Sequence, residues 1–203
     1  MTIHEPLALL TDLLLAGFGG WLAWRLRQVL TPADRAAHWW SRALALAALS
    51  GLVGGLYHAF AGNVPAVAAS SWWLATLLTV CAVSLAMDCS LVHTVLPAGR
   101  RRAGLTAATL KFVVFGVAVV MRPDFGVAII DYGVSLVAWT LAALMLARPW
   151  SGWMLAGIGL SVAAAVAQQA RWDLSAHFNY DDLYHVVQAV GFYGFYRAAR
   201  RLP

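Results

Sequence analysis

The stretch ALALAALSGLVGGLYHAFAG, residues 43–62, decides the fold class, because it contains no Asp, Glu, Lys or Arg over its whole length. An α-helix rises about 1.5 Å per residue, so a run of this length reaches across the roughly 30 Å hydrocarbon core of a bilayer. Gly51, Gly54 and Gly55 lie within it, and such glycines allow a second helix to approach closely. The stretch therefore predicts a transmembrane helix that packs within a helical bundle.

Comparable apolar runs recur along the chain, which is 62% hydrophobic and only 11% charged. They predict an all-α, polytopic membrane protein, a single seven-transmembrane helix bundle over residues 1–203 without a soluble domain. The first span has no positively charged segment before it, which predicts a retained helix and not a cleaved signal peptide. Cys81 and Cys89 fit neither a disulfide framework nor a zinc-ribbon pattern. The expected spans are residues 6–30, 43–62, 72–96, 103–121, 125–147, 150–170 and 181–196.

Basic residues are distributed unequally between the two ends of these spans. Only Arg122 and Arg171 lie on one side. Because positive residues are retained on the cytoplasmic side, we expect the N-terminus outside and the C-terminus in the cytoplasm, most simply across a bacterial inner membrane. The same distribution accounts for the net charge of +5 through topology and lipid headgroups, so no nucleic-acid partner is expected. The other side holds eleven arginines: Arg25, Arg27, Arg35, Arg42, Arg100, Arg101, Arg102, Arg148, Arg197, Arg200 and Arg201.

Three potential ligands or proton carriers, His177, Asp181 and His185, are spaced four residues apart around the start of the last span. On a helix this spacing stacks side chains along one face. Ionisable residues inside a membrane are costly, so the group predicts a functional site near the outer, periplasmic leaflet. At about 1.5 Å per residue, polar residues of other spans fall in or beside the same layer. These are His58, Asp12, Asp131 and Asp182.

Two ionisable residues are expected away from this layer. Asp88 falls roughly 24 Å into the third span, near the cytoplasmic face. There it is expected to play a structural role, bonding a neighbour or pairing with a basic residue. Lys111 in the fourth span is expected to snorkel toward the inner face, with its long apolar stem in the membrane and its charge in water.

The residue types in the outer layer are those that bind zinc. Zinc accepts histidine nitrogen and carboxylate oxygen, and a catalytic site leaves one position to water. His58, His185 and either His177 or Asp181 would supply three ligands. Bound zinc lowers the pKa of its water toward about 7, and a second carboxylate takes the proton or orients a ligand. The natural substrate is a membrane lipid with an amide or ester carbonyl at headgroup depth. The candidates for the second carboxylate are Asp131, Asp12 and Asp182.

Other classes of protein are compatible with the same residues. His58 and His185, on separate spans, also suit the two axial positions of a haem in a membrane electron carrier. The outer carboxylates and histidines would also suit a proton or cation relay in a small transporter or receptor. A histidine close to a span end is often an interfacial anchor. The sequence shows no internal repeat and no matching pair of Gly/Pro-broken helices, which speaks against a transporter.

Three short motifs resemble the progestin and adiponectin receptor family. Tyr57-His58-Ala59-Phe60 is similar to that family's Tyr-His-aromatic pattern on helix two. Asp181-Asp182-Leu183-Tyr184-His185-Val186 resembles its last-helix His-x-x-x-His motif, and Met87-Asp88-Cys89-Ser90 its third-helix Asp motif. With the alkaline ceramidases, these receptors form a superfamily of seven-span, zinc-dependent membrane hydrolases. The resemblance implies ceramidase-like hydrolysis of a lipid amide, with zinc held by a histidine on helix two, an aspartate on helix three and two histidines on helix seven.

The chain departs from that pattern on helices two and seven. Gly54 stands where the family has a serine four residues before the helix-two histidine, and Ser50 lies one turn further away. Asp181 occupies the first histidine position of the last helix, while His177 lies one turn earlier. Ser50 is therefore a candidate catalytic residue, and the partner of His185 on its own helix is either His177 or Asp181.

The third departure concerns Asp88. It follows His58 by 30 residues, which is too far along the third span for the two to meet if that span starts near residue 72. Either the span boundaries differ from those expected, or Asp88 does not correspond to the family aspartate. In the second case Asp131 or Asp12 is the better-placed carboxylate.

Overall fold

The computed structural model describes residue 3, residues 5–175 and residues 178–203, which form an all-α fold. The predicted all-α class is therefore confirmed, and each predicted span corresponds to one helix. A short 3-10 turn, Ala61–Asn63, follows the second helix. The helices in chain order are α1 (Pro6–Arg27), α2 (Arg35–Phe60), α3 (Ala66–Val95), α4 (Ala98–Met121), α5 (Phe125–Leu146), α6 (Ser151–Gln169) and α7 (Tyr180–Ala199).

Three helices begin at least five residues earlier than the apolar runs indicate, and one of them is α4, which begins at Ala98 and not at residue 103. The helix α2 begins at Arg35 and not at residue 43, and α3 begins at Ala66 and not at residue 72. Backbone hydrogen bonding continues through the residues that flank each apolar run. Hydropathy therefore marks where the apolar part of a helix begins and not where the helix itself begins. Pro65 sets the start of α3, since its φ of −57° and ψ of 145° are extended and its ring suits a position just ahead of the first turn.

Six helices, α1 to α6, are long and apolar enough to cross a membrane, within the part of the chain that the structure describes. The exception is α7, whose 20 residues include Asp181, Asp182 and Arg197. At 1.5 Å per residue, α7 is nevertheless about 30 Å long, and it packs against α1, α2 and α6. Its polar residues Asp182, His185 and Gln188 are buried, so neighbouring helices surround them.

The close contact of α6 and α7 depends on glycines. A Cβ atom added to Gly194 would lie 2.9 Å from the Cα atom of Gly157, and one added to Gly157 would lie 2.6 Å from the ring of Phe195. No side chain fits at either distance, so small residues at this crossing allow the two backbones to touch. This contact sets the position of α7 in the bundle and, with it, the position of His185.

Aromatic side chains fill the core at the arginine-rich end of the bundle. The rings of Trp40 and Phe195 stack with their centroids 4.9 Å apart. Trp139 lies 5.5 Å from Trp40 and 5.7 Å from Trp150. All four side chains are fully buried. Contacts between aromatic rings stabilise a fold by more than the burial of their apolar area alone. These ring contacts join α2, α5 and α7 at this end of the bundle.

Candidate functional site

A cavity of about 470 Å³ lies at the end of the bundle where α1 and α7 begin and α2 ends. His58 and Ser50 of α2, Asp12 of α1, and Asp181 and His185 of α7 all line it. The structure thus brings together five of the residues that the sequence patterns single out. The rest of the wall is mainly aromatic, apolar or amide-bearing and includes Leu15, Trp73, Phe125, Tyr132, Gln168, Tyr184, Gln188 and Phe192.

His185 is held from both sides of its ring by residues of α1. Its Nε2 lies 3.2 Å from Asp12 Oδ1, and its Nδ1 lies 3.1 Å from the Thr11 hydroxyl oxygen. The Thr11 hydroxyl in turn donates to Asp182 Oδ1 at 3.2 Å. Only 8% of His185 is exposed, so these contacts replace water around the imidazole. The four side chains form one hydrogen-bonded row between α1 and α7.

One proton is shared between His185 and Asp12. When the single proton of the Thr11 hydroxyl goes to Asp182 or to a backbone carbonyl, the hydroxyl oxygen accepts the Nδ1–H of His185. The Nε2 atom then either accepts a proton from the Asp12 carboxylic acid or, when the ring is cationic, donates to the carboxylate. In both states the pair holds a proton beside the cavity, as a general acid requires.

The first turn of α7 uses its two carboxylates differently. The Asn179 side chain accepts hydrogen bonds from the N–H groups of Asp181 and Asp182, and Asp182 Oδ2 accepts one from the Asn179 N–H. This capping box assigns Asp182 a structural role in starting the helix. Asp181 accepts a hydrogen bond from Gln168 Nε2 at 2.8 Å and lines the cavity. Asp181 is therefore the carboxylate of this turn that a bound molecule can contact.

Glu5, which no sequence pattern singled out, orients His58. Its Oε2 lies 3.0 Å from His58 Nδ1. A carboxylate on one ring nitrogen fixes the tautomer and the direction of the imidazole, and it leaves the other nitrogen for a ligand or a proton transfer. The side chain of His58 is 26% exposed, so water reaches it. The contact between Glu5 and His58 had one signal in the sequence, which is the position of Glu5 directly before Pro6. Because consecutive helices run antiparallel, a residue at the start of α1 lies near the end of α2.

Asp12 fits between α1 and α2 because Gly55 has no side chain. A Cβ atom on Gly55 would lie 2.5 Å from Asp12 Cβ and 3.3 Å from Asp12 Oδ2. Asp12 is 3% exposed, and its Oδ2 has no hydrogen-bond partner among the described residues. A buried polar atom without a partner is costly, so Oδ2 is the atom at which a proton or a bound group would stabilise the site.

The described residues do not fit a three-ligand zinc site. No three His, Cys, Asp or Glu side chains within residue 3, residues 5–175 and residues 178–203 are grouped to hold a metal ion. Both ring nitrogens of His185 are engaged, and Asp181 is bonded to Gln168. His177 lies outside the described residues. The choice between His177 and Asp181 as a zinc ligand therefore stays a prediction.

Asp88 and Asp131 lie together around Lys111, and neither of them lines the cavity. The Lys111 Nζ atom is 2.7 Å from Asp88 Oδ2, 2.9 Å from Asp131 Oδ1 and 2.7 Å from the Ser135 hydroxyl. Asp131 is completely buried. An ammonium between two carboxylates compensates charges that would be expensive to bury singly. This second cluster, Asp88, Lys111, Asp131 and Ser135, joins α3, α4 and α5.

The second cluster bears on three predictions. Asp88 was expected to bond a neighbour or to pair with a basic residue, and it pairs with Lys111. The expectation that Lys111 snorkels toward the inner face is wrong, because the two carboxylates hold its ammonium within the bundle. Asp131 was expected beside Asp12 in one outer layer. It contacts Lys111 instead, because its position around the axis of α5 directs it toward α3 and α4.

These features define a class: an all-α protein with membrane-compatible helices and a histidine- and carboxylate-lined cavity at one end. The chain belongs to DUF6962, a family of unknown function, whose match covers residues 7–203. No curated protein and no solved structure matches the chain. The cavity and its side chains are therefore the basis on which a function can be assigned.

Proposed function

We propose that this protein is a membrane-embedded hydrolase that cleaves an amide or ester bond of a lipid bound in the cavity. The observation that carries the proposal is the convergence of His58, His185, Asp12 and Asp181 on one cavity of about 470 Å³. Aromatic and apolar side chains form much of the remaining wall. Such a cavity suits an amphiphile whose apolar part lies against that wall while its carbonyl group meets the four ionisable residues.

In this proposal the chain is a seven-span bundle with its cavity toward the periplasmic face of a bacterial inner membrane. We count α7 as a span because its length matches the hydrocarbon core and α1, α2 and α6 pack around it. The eleven arginines lie at the helix ends opposite the cavity, which favours a cytoplasmic location for that end. The N-terminus is then outside and the C-terminus inside.

His58 activates the attacking water. With Glu5 on Nδ1, the Nε2 atom accepts a proton from water, and the Glu5 carboxylate stabilises the imidazolium that forms. The water oxygen bonds to the carbonyl carbon while the electron pair of the C=O bond moves to its oxygen. The exposure of His58 supplies water at this position, whereas the buried His185 has no ring nitrogen left for it.

The His185–Asp12 pair supplies the proton for the leaving group. When the tetrahedral intermediate collapses, the C=O bond re-forms and the C–N or C–O bond breaks. The shared proton passes to the departing amine or alkoxide, and the proton taken up by His58 returns to the pair through water. The products are a carboxylic acid and an amine or alcohol. Side chains and water supply every transfer, so no step is assigned to zinc.

The test is hydrolysis of labelled N-acyl and O-acyl lipids by the purified protein in detergent or nanodiscs. His58→Gln should lower kcat/KM by about 100-fold or more, because a general base is lost, and Glu5→Gln by about tenfold, because the base is misoriented. His38→Gln is the matched control, since His38 lies near the start of α2 and bonds the Thr31 carbonyl oxygen. Hydrolysis that survives in His58→Gln at the level of His38→Gln would contradict the proposal.

Metal and haem content are measured on the same preparations. One zinc per chain in the wild type that is lost in His185→Ala would support a metal-assisted form of the hydrolase. It would also make His177 the first position to examine as a further ligand. A Soret band that disappears in both His58→Ala and His185→Ala would instead support a haem-binding electron carrier. That result, in the absence of lipid hydrolysis, would replace the hydrolase proposal.

A further inference from the structure

We infer that a cleft at the opposite end of the bundle binds the phosphate group of an anionic membrane lipid. The cleft has a volume of about 530 Å³. It lies where α2 and α4 begin and α3 ends, so it is separate from the cavity of the proposed hydrolase. We call it the basic cleft, and its lining residues include Arg35, His93, Arg101, Arg102 and Leu105.

The charge of the basic cleft is uncompensated. Arg35 comes from α2, and Arg101 and Arg102 come from the first turns of α4. None of the residues that line the cleft is acidic, and none of the three arginines forms an ion pair with a carboxylate in the described part of the chain. Three guanidinium groups around one concavity repel each other. An anion between them removes that repulsion, and arginine binds phosphate oxygens through paired N–H donors.

Two features give the basic cleft a built geometry. The Arg101 guanidinium donates to the backbone carbonyls of Leu96 at 3.1 Å and His93 at 3.5 Å, which anchors it at the end of α3. His93 also lines the cleft, and its Nδ1 atom is buried without a hydrogen-bond partner among the described residues. Because this atom has no exposed surface, the His93 ring must turn toward the cleft before its N–H can donate to a phosphate oxygen.

The occupant is a lipid and not a free phosphate, because the basic cleft continues into an apolar surface. Leu105 and Leu110 line the cleft beside the arginines. Beyond Leu110, the exposed residues Val113, Val114 and Val117 extend the apolar face along α4. An acyl chain can lie on this face while its phosphate sits among the arginines. Basic pockets between transmembrane helices on the cytoplasmic side are suited to anionic headgroups.

The experiment is a lipid-binding titration of the full-length protein in zwitterionic nanodiscs or detergent, read by native mass spectrometry with phosphatidylglycerol as the probe. Arg35→Gln and Arg102→Gln should each weaken binding by about fivefold, as expected for one basic residue near an anionic lipid. Arg100→Gln is the matched control, because Arg100 is exposed and adjacent but does not line the basic cleft. It should leave binding within about twofold of wild type.

Two further probes decide between the sources of phosphate. Phosphatidylcholine should bind at least about tenfold more weakly than phosphatidylglycerol, because its headgroup has no net charge to offset the arginines. Inorganic phosphate at millimolar concentration should not displace the lipid. Equal weakening by Arg100→Gln and Arg102→Gln, equal binding of the two lipids, or full competition by inorganic phosphate would each overturn the inference.

Discussion

Replacing Lys111 by methionine should destabilise the bundle strongly. The substitution keeps the length of the stem but removes an ammonium that contacts Asp88 at 2.7 Å and Asp131 at 2.9 Å. Asp131 is 0% exposed, so its carboxylate cannot turn to water for compensation. Removing one partner of a buried ion pair costs about 3–5 kcal/mol, because the remaining charge is left without a partner. We expect Lys111→Met to lower the free energy of unfolding by an amount in that range.

A triple variant separates this charge effect from a loss of packing. Lys111→Met combined with Asp88→Asn and Asp131→Asn removes the cation and both carboxylates together. Replacing a complete buried ion cluster by neutral groups of similar volume is often close to neutral. The triple variant should therefore be more stable than Lys111→Met alone, although it contains two additional substitutions. Such non-additivity is expected only for residues that contact each other.

The assay is reversible unfolding in mixed micelles of increasing SDS content, followed by fluorescence of the ten tryptophans. Val114→Met is the control, because Val114 lies one turn from Lys111 and is exposed on α4. It should change stability by no more than about 0.5 kcal/mol. A Lys111→Met variant within about 1 kcal/mol of wild type would refute the reasoning, as would a triple variant less stable than Lys111→Met.

Two further predictions concern close packing and pH. Gly55→Ala should destabilise the protein by about 1–3 kcal/mol in the same unfolding assay, since the added Cβ atom would lie 2.5 Å from Asp12 Cβ. Gly17→Ala is the control: a Cβ atom there has nothing within 4 Å, so this variant should be more stable by up to about 1 kcal/mol. Equal effects of the two substitutions on stability would contradict this prediction. The N–H and hydroxyl groups of Thr31 donate to Asp34 and hold its pKa below the usual value. The ionised carboxylate therefore stabilises this loop at every pH above the pKa of the unfolded chain. That stabilisation is lost as the pH falls through the lower pKa of the folded protein. In an NMR titration the Thr31 amide should shift with a midpoint below about 3.9, and Asp34→Asn should abolish the shift; a midpoint at or above that value would disprove it.

The sequence by itself determined the number and order of the helices. It also determined that arginines are concentrated at one end of the bundle. Residues 43–62 carry no charge, and a backbone in an apolar layer must satisfy its own hydrogen bonds, which a helix does within one segment. The same local reasoning placed His58 near the end of α2 and His185 near the start of α7. Because consecutive helices run antiparallel, these two positions fall at one end. Their presence around a common cavity could therefore be anticipated from spacing along the chain.

Only the tertiary structure decided which carboxylate meets which base. Asp12 contacts His185, Glu5 contacts His58, and Asp131 contacts Lys111. Each pairing depends on how far a helix is rotated about its axis and which neighbour it touches, and in the case of Thr11 and Asp182 the partners are 171 residues apart. Hydropathy measures the depth of a residue and carries no information on that rotation. Packing of glycines and aromatic rings between helices sets it, and the pairings of the site follow from that packing.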